Sequence, residues 1–197
     1  MARPNGSLLV FDEVQCGMGR TGKMWAAEHF DAVPDILAVA KGIASGMPLG
    51  ATVARRDLMT WPPGAHASTF GGNPVACAAA LVTIALLKEG LMENAARMGT
   101  YLRTRMRDWP ARFPNVGDVR GLGLMIGIEL VRDQHTKEKA PKLRDQVLQL
   151  AFERGLLVLG AGDNTIRLCP PLVVTVDQCE FALDTLEECL RAATANG

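Results

Sequence analysis

Three short apolar runs stand out in the first third of the chain, at residues 8–11, 36–40 and 49–54. Runs of this length, bounded by glycine, proline and polar residues, are typical of strands, and the first has the pattern of a strand buried on both faces. A glycine-rich segment at 17–22 and a short helical piece at 25–30 separate the first two runs. Strand, crossover and strand fill about 30 residues, the size of a βαβ unit with two parallel strands.

A helical pattern follows at residues 74–88, where Pro74 suits the first turn and Gly90 marks the end. This segment is apolar nearly all round, so we expect a buried helix. Residues 91–109 are amphipathic and rich in arginine on the polar face, which predicts a long surface or bridging helix.

The second half of the chain mixes strand and helix patterns. Its predicted elements are a strand at 119–130, a helix at 143–154, short strands at 156–159 and 165–168, and a final helix at 176–193. The first half is therefore predicted as α/β and the second as α+β, with a soft boundary between residues 90 and 110.

Composition narrows the class of protein. The 21 Lys and Arg residues balance the 21 Asp and Glu residues, which argues against nucleic acid or an anionic membrane as the main partner. At 48% hydrophobic residues the chain can build a core, and no apolar run approaches the ~18 residues of a membrane span. The first seven residues do not resemble a signal peptide. We expect a soluble, cytoplasmic globular protein.

Cysteine and histidine give no sign of a disulfide framework or a metal site. The five cysteines are odd in number and irregular in spacing, and C-x-x-C does not occur. The three histidines lie far apart and share no ligand spacing. We therefore expect buried, reduced thiols and no bound metal.

Two predicted strands end in ionisable residues of opposite kind, Asp12 after the first and Lys41 after the second. In open α/β sheets, ligands bind beyond the carboxyl ends of the strands. A primary amine there can form an imine with an aldehyde cofactor, and a carboxylate can keep a pyridine nitrogen protonated. A plain ion pair, or two solvated loop charges, is the alternative that spacing alone leaves open.

Hydroxyls and glycines stand directly before the first long helix, at residues 68–74. Such groups at a helix N-terminus form a site for a phosphate group. The alternative is simple N-capping by Asn73, or by Ser68 or Thr69.

These segments resemble the signatures of class-III (ω-amino-acid) aminotransferases, which depend on pyridoxal 5'-phosphate (PLP). The matching motifs run in order along the chain: DEVQCGMGRTGK at 12–23, PDIL at 34–37, AKG at 40–42, MPLGA at 47–51, STFGGNP at 68–74, RGLGLMIG at 120–127 and IRLCPPL at 166–172. The resemblance implies part of the large domain of PLP-dependent transferases of fold type I, with a mostly parallel sheet, followed by a small α+β domain. Residues 1–100 would be a partial PLP-binding domain and 101–197 the small C-terminal domain.

The resemblance also implies roles for five residues. Lys41 resembles the Schiff-base lysine that shuttles the proton, and Asp12 resembles the partner of the pyridinium nitrogen. Gln15 is similar to the residue near the phenolic oxygen of the ring. Thr69 resembles the hydroxyl that reaches the cofactor phosphate of the neighbouring subunit, which implies a homodimer with shared active sites. Arg167 resembles the arginine that pairs with a substrate carboxylate, a task that suits its planar fork.

The implied activity is transamination of an ω-amino acid, of the 4-aminobutyrate, acetylornithine or ornithine type, with 2-oxoglutarate. A racemase, aminomutase or decarboxylase of the same fold would use the same residues. The chain resembles only the second half of such enzymes, without their Gly/Ser phosphate loop and stacking aromatic ring. A third possibility is therefore a truncated, catalytically incomplete remnant, or a subunit that needs a partner carrying the other half.

The stretch at residues 17–22 also matches G-x-G-x-x-G, the pattern of dinucleotide-binding loops. That fingerprint needs its first glycine at the end of a strand and its last at the start of a long helix. Here the glycines follow a polar turn, and only about two helical turns fit before Pro34. The sequence therefore argues against nicotinamide binding.

Overall fold

The structure, a computed structural model, describes residues 5–195. The described residues form two compact units, the first ending at Glu93 and the second beginning at Asn94. This division falls inside the boundary region expected from the change in sequence pattern. The assignment of the first unit to cofactor binding stays a prediction.

A three-stranded sheet organises the first unit. Its strands are β1 (Val10–Asp12), β2 (Ile36–Val39) and β3 (Ala51–Ala54), in that order. β1 and β2 are parallel, as the crossover spacing predicts, whereas β2 and β3 are antiparallel. The sheet is thus mixed, because the chain reverses after β2 through the 3-10 helix Lys41–Ala44 and a turn with Gly46 at φ 105°.

The first strand is less buried than its apolar sequence predicts. Val10 is 58% exposed and Leu8 is 47% exposed, so the expectation of a strand buried on both faces is wrong for this chain. Among residues 5–195, β1 pairs with β2 alone, which leaves its other edge uncovered.

Helix α1 (Pro74–Leu86) begins and ends where the sequence predicts. The Asn73 side chain accepts a hydrogen bond from the Ala76 N–H at 2.9 Å, which satisfies one of the free amides of the first turn. The helical path breaks at Gly90, whose φ of 152° is open to glycine but strained for other residues. Asn73, rather than Ser68 or Thr69, is therefore the cap.

The burial of α1 differs from the prediction. Only Ala76, Ala80 and Thr83 are buried, on the face that packs against the 3-10 helix at Lys41–Ala44. On that face, the Thr83 and Ser45 hydroxyls lie 2.9 Å apart. Four large apolar residues of α1 are exposed: Val75, Leu81, Val82 and Leu86. The helix is apolar all round, but the first unit covers one face of it.

The helical segment Pro74–Arg112 is long and apolar enough, by length and composition, to cross a membrane. The break at Gly90 divides it, however. The apolar part before Gly90 is shorter than the ~20 residues that a bilayer core requires. Length and composition are therefore weak evidence for a membrane span here.

The second unit is built on an antiparallel sheet of order β4-β5-β8-β7, with β6 pairing β5. Its strands are β4 (Val116–Leu122), β5 (Met125–Asp133), β6 (Glu138–Lys139), β7 (Leu159–Ala161) and β8 (Thr165–Leu168). Its helices are α2 (Met92–Arg105), whose first two residues belong to the first unit, α3 (Trp109–Arg112), α4 (Pro141–Glu153) and α5 (Val176–Ala195). Ile126, Ile128, Leu130 and Ile166 of the sheet form one core with residues of the helices, including Leu102, Val147 and Leu186.

The single strand predicted at 119–130 is in fact a hairpin. Leu122 pairs with Met125, so Gly123 and Leu124 form a two-residue turn. A Cβ at Gly99 of α2 would lie 2.0 Å from the Gly123 carbonyl oxygen. The helix backbone therefore approaches the turn more closely than any side chain allows. Gly99 and Gly123 thus serve close packing, at a reversal of the chain that alternation alone does not reveal.

Candidate active site

Asp12 is the last residue of β1 and its side chain is exposed. Its Oδ1 atom accepts a hydrogen bond from the Val14 N–H at 3.0 Å. This local bond turns the chain out of the sheet and orients the carboxylate at the carboxyl end of the strand. In the ladder, Asp12 lies opposite Ala38 of β2.

Lys41 follows β2 after one residue, Ala40, and opens the 3-10 helix Lys41–Ala44. It is exposed, and its φ of 48° lies in the left-handed region. That conformation costs a non-glycine residue about 1–2 kcal/mol, and residues held in it cluster at functional sites. The sequence carries no signal of this strain.

The loops that follow Asp12 and Lys41 touch each other. A Cβ at Gly42 would lie 3.4 Å from Cβ of Met18, an ordinary packing distance, and Met18 is buried. Since β1 and β2 are parallel neighbours, both loops leave the sheet at the same edge. The structure therefore brings the acid and the amine to one edge of one sheet, as the sequence predicts.

Glu13 is a residue that the sequence reasoning missed. It is 2% exposed, and its carboxylate accepts hydrogen bonds from the N–H groups of Ala26 (3.0 Å) and Ala27 (2.8 Å) and from the Cys16 thiol (2.9 Å). Burial, and next the neighbouring Glu13 carboxylate, raise the pKa of Cys16 to about 12. The signal available in the sequence was the position of this carboxylate, between an apolar strand and a glycine-rich loop.

Gln15 and Thr69 are both exposed and lie in the first unit. Gln15 occupies the turn between Asp12 and the glycine-rich loop. Thr69 belongs to the loop before α1, where the Ser68 hydroxyl accepts a hydrogen bond from the Gly71 N–H at 3.0 Å. The hydroxyl-bearing loop is thus folded by its own contacts, while Asn73 caps the helix.

Arg167 lies in the second unit, on β8, between Gly127 of β5 and Leu159 of β7. It is half-buried and lines a cavity of about 310 Å³ within that unit. The cavity wall is mostly apolar, and includes Leu102, Leu156, Val158, Pro171, Val174, Cys179 and Ala182. A guanidinium at the wall of such a cavity suits a carboxylate on an apolar body.

The glycine-rich loop does not have the surroundings of a dinucleotide site. After it comes the 3-10 helix Ala26–His29, four residues long, in place of a long α-helix. The structure supports the sequence-based conclusion against nicotinamide binding. Among residues 5–195, no three His, Cys, Asp or Glu side chains cluster as metal ligands would.

Comparison with known proteins identifies the family. The model of the family "Aminotransferase class-III" matches residues 1–190. The chain is 43% identical over 188 residues to the leucine/methionine racemase of Thermococcus litoralis, covering 94% of this chain and 42% of that protein. It is 44% identical over 187 residues to the acetylornithine aminotransferase of Thermosynechococcus vestitus, covering 94% and 44% respectively.

A solved structure agrees with these relatives. The ornithine aminotransferase of Toxoplasma gondii, which holds PLP at partial occupancy in its active site, superposes with a TM-score of 0.86 and 32% identity, covering 99% of this chain and 46% of that one. The chain thus spans less than half the length of the curated relatives it matches. It belongs to the class-III aminotransferase family and has the α/β fold of PLP-dependent aminotransferases.

Proposed function

We propose that this chain carries the cofactor-anchoring part of a PLP-dependent enzyme that transfers the amino group of an ω-amino acid to 2-oxoglutarate. The amino donor would be of the 4-aminobutyrate, acetylornithine or ornithine type. One observation carries the proposal: Asp12 and Lys41 leave adjacent parallel strands at the same edge, and the loops after them are in contact.

The residues proposed to hold PLP fit it by the chemistry of their side chains. A carboxylate can bind the protonated ring nitrogen, a primary amine can bind the aldehyde carbon, and hydroxyls can bind phosphate oxygens. Asp12, Lys41 and Thr69 supply these three kinds of group and all are exposed, so a ligand can reach them.

When bound, PLP would supply an aldehyde carbon that can accept an amino group and a positive ring that withdraws electrons from the C–H bond that breaks. Asp12 keeps the proton on the ring nitrogen, because a carboxylate stabilises a cation beside it. Lys41 Nζ would hold and move the proton at the substrate carbon. Its left-handed backbone sets the direction in which the side chain leaves the turn.

The other three residues have supporting roles in this proposal. Gln15 would lie beside the phenolic oxygen of the ring. Thr69 binds the cofactor phosphate held by a second subunit, which makes the enzyme a homodimer. Arg167 pairs with the substrate carboxylate, and the apolar cavity beside it holds carbon chain.

Trapping the cofactor by borohydride reduction tests the role of Lys41. The full chain is incubated with PLP, reduced and digested, and the labelled peptide is identified by mass spectrometry. We expect the label on Lys41 and its loss in Lys41→Arg, which keeps the charge but cannot form the bond. Lys23→Arg, a change in the neighbouring loop, is the matched control and should leave labelling unchanged. Label on any other lysine, or none, would refute the assignment.

Racemisation is a second candidate, because a relative 43% identical to this chain is a leucine/methionine racemase. The proton-moving amine and the ring-binding acid would serve it equally. The two activities differ in what happens to the cofactor on adding an amino acid. Transamination converts PLP to its amine form, which absorbs at shorter wavelength, whereas racemisation leaves PLP unchanged and inverts the amino acid.

We also propose a partner: a polypeptide that corresponds to the part of the relatives that this chain does not match. The exposed apolar face of α1 and the free edge of β1 both lie in the first unit and supply a surface for it. Co-expressing the unmatched half of the acetylornithine aminotransferase relative, with an affinity tag, tests this. We expect co-purification and PLP-dependent turnover, and Leu81→Ser with Val82→Ser should reduce both. Unassisted turnover by the chain alone would show that no partner is needed.

A cytoplasmic location, and the lack of membrane and nucleic-acid partners, stay predictions. They depend on the balanced charge and the short apolar runs of the sequence. Fractionation of cells that express the protein is the direct measurement.

A further inference from the structure

The carboxylate of Glu13 is the one buried carboxylate among the residues that the structure describes. A buried ionised carboxylate is costly unless hydrogen bonds replace its water. Glu13 has three such donors: Oε1 accepts from the Ala27 N–H, and Oε2 accepts from the Ala26 N–H and the Cys16 thiol. Each donor is on the chain segment that follows Asp12, so the carboxylate ties that segment back onto the end of β1.

The backbone of Glu13 makes two further bonds. Its N–H donates to the Ala38 carbonyl of β2 at 2.9 Å, and its own carbonyl accepts from the Gly17 N–H at 3.0 Å. Gly17 has no room for a side chain, because a Cβ would lie 2.8 Å from that carbonyl oxygen and 3.0 Å from the Trp25 ring. Glu13 is thus fixed to the sheet on one side and to the loop on the other.

This fixed loop reaches the turn that begins at Lys41. Met18 follows Gly17 and packs on Gly42, the residue after Lys41. Asp12 directly precedes Glu13 in the sequence. Gln15 lies between Glu13 and Cys16, whose thiol donates a hydrogen bond to the Glu13 carboxylate. A change in the Glu13 carboxylate would therefore be transmitted to Asp12, Gln15 and Lys41 together.

We propose that Glu13 is a positioning residue, whose buried carboxylate holds the loop that orients Asp12 and Gln15 toward the cofactor and keeps it packed on the Lys41 turn. It touches no reacting atom in this proposal and acts through the loop. The inference builds on the proposed function, since it assigns Asp12 to the ring nitrogen.

The test compares Glu13→Gln with Glu28→Gln in the full chain. Glu28 is the matched control, because its carboxylate also accepts a backbone N–H, that of Trp25 at 2.8 Å, but is exposed. Glutamine at position 13 has one acceptor oxygen and presents N–H donors to N–H groups. We expect amide hydrogen exchange at Ala26 and Ala27 to accelerate ~10-fold or more, as for loss of hydrogen bonds to a charged group.

The second measurement is spectroscopic. We expect Glu13→Gln to bind PLP ~10-fold more weakly, by the lost hydrogen bonds, and to shift the pH at which the absorbance of bound PLP changes. That pH depends on how well Asp12 holds the ring charge, so a merely structural loss of stability would not move it. Gly17→Ala places a Cβ against the Glu13 carbonyl and leaves the Glu13 carboxylate intact. It should shift the pH of the absorbance change in the same direction. This variant replaces Glu13→Gln in the test if Glu13→Gln does not fold.

The outcomes separate the two proposals. Unchanged amide exchange in Glu13→Gln overturns the positioning role, as does an unchanged pH midpoint for bound PLP in both variants. If the wild-type chain binds no PLP, the proposed function is wrong. The orientation of Asp12 and Gln15 toward the cofactor, which this inference also proposes, is then wrong as well. Amide exchange then decides alone whether Glu13 holds the loop.

Discussion

The two units of the chain differ sharply in how they bury apolar side chains. Among residues 5–195, 24 buried apolar residues lie in the second unit and 8 in the first. Large apolar residues that stay exposed show the reverse, with 13 in the first unit and 6 in the second. The second unit has a core of its own, whereas the first has the composition of a core and few partners to form one.

Backbone strain follows the same division. Of the five non-glycine residues with positive φ in the described chain, Met18, Asp31, Lys41 and Ser45 are in the first unit and Lys137 is in the second. Three of the four in the first unit belong to the loops that follow β1 and β2. The residues proposed to bind the cofactor thus lie in the unit that is less buried and more strained, a combination expected where function rather than stability selects the conformation.

Truncating one apolar side chain in each unit gives the largest expected contrast. Ile128 in β5 is 0% exposed, and Ile128→Ala should lower the free energy of unfolding by about 2–5 kcal/mol, through lost burial and the cavity left behind. Leu81 in α1 is 71% exposed, and Leu81→Ala should change it by less than about 0.5 kcal/mol. Urea unfolding of both variants, followed by circular dichroism, provides the comparison. A Leu81 effect as large as that of Ile128 would mean that the isolated chain already covers α1, for instance by self-association.

Replacing a strained lysine by glycine in each unit gives a smaller effect. Lys41 (φ 48°) and Lys137 (φ 57°) share the left-handed conformation. Glycine removes a strain of about 1–2 kcal/mol but gains more freedom in the unfolded chain, so each variant should be more stable by at most about 1 kcal/mol. Only Lys41→Gly should lose borohydride-trapped PLP. Equal labelling of the two variants would show that Lys41 is not the residue to which PLP is trapped.

The sequence predicts most of the elements of both units because the signals are local. Pro74 and Gly90 mark the ends of a helix by their backbone geometry alone, and the period of apolar residues marks α4 and α5. The hairpin turn at Gly123 was missed, since alternation continues across a two-residue turn. The exposure of α1 was missed for another reason. The apolar sequence of a helix shows that the helix can pack against other apolar surfaces, but it does not show whether such surfaces are present.

The candidate site shows the same limit. Asp12 and Lys41 were predictable because the residue that follows a strand lies at the edge of the sheet. The left-handed backbone of Lys41 has no sequence signature, and the position of Glu13 between an apolar strand and a glycine-rich loop does not show that its carboxylate is buried. Both depend on contacts between segments, such as the packing of Met18 on Gly42, that no local pattern encodes.

The reactivity of individual cysteines toward alkylation is the smallest difference that we expect between the two units. Cys77 of the first unit and Cys169 of the second are exposed. Burial raises the pKa of Cys16, of Cys179 and of Cys189, and for Cys16 the value is about 12. At pH 8.5, alkylation with iodoacetamide and peptide mapping should label Cys77 and Cys169 first, because the thiolate is the reactive form.

The raised pKa of the Cys16 thiol also predicts the direction in which the stability of the protein changes with pH. Its folded pKa lies above its ordinary value of 9.0, so the native state favours the protonated thiol. The stability that this proton contributes is complete below pH 9 and is lost as the pH rises from 9 toward about 12. Cys16→Ala should therefore flatten the decline in the urea midpoint of the first unit over that range, while Cys77→Ala leaves the decline as it is in the wild type. A decline of equal slope in all three proteins would show that the Cys16 thiol is not held protonated by the burial and the Glu13 carboxylate seen here.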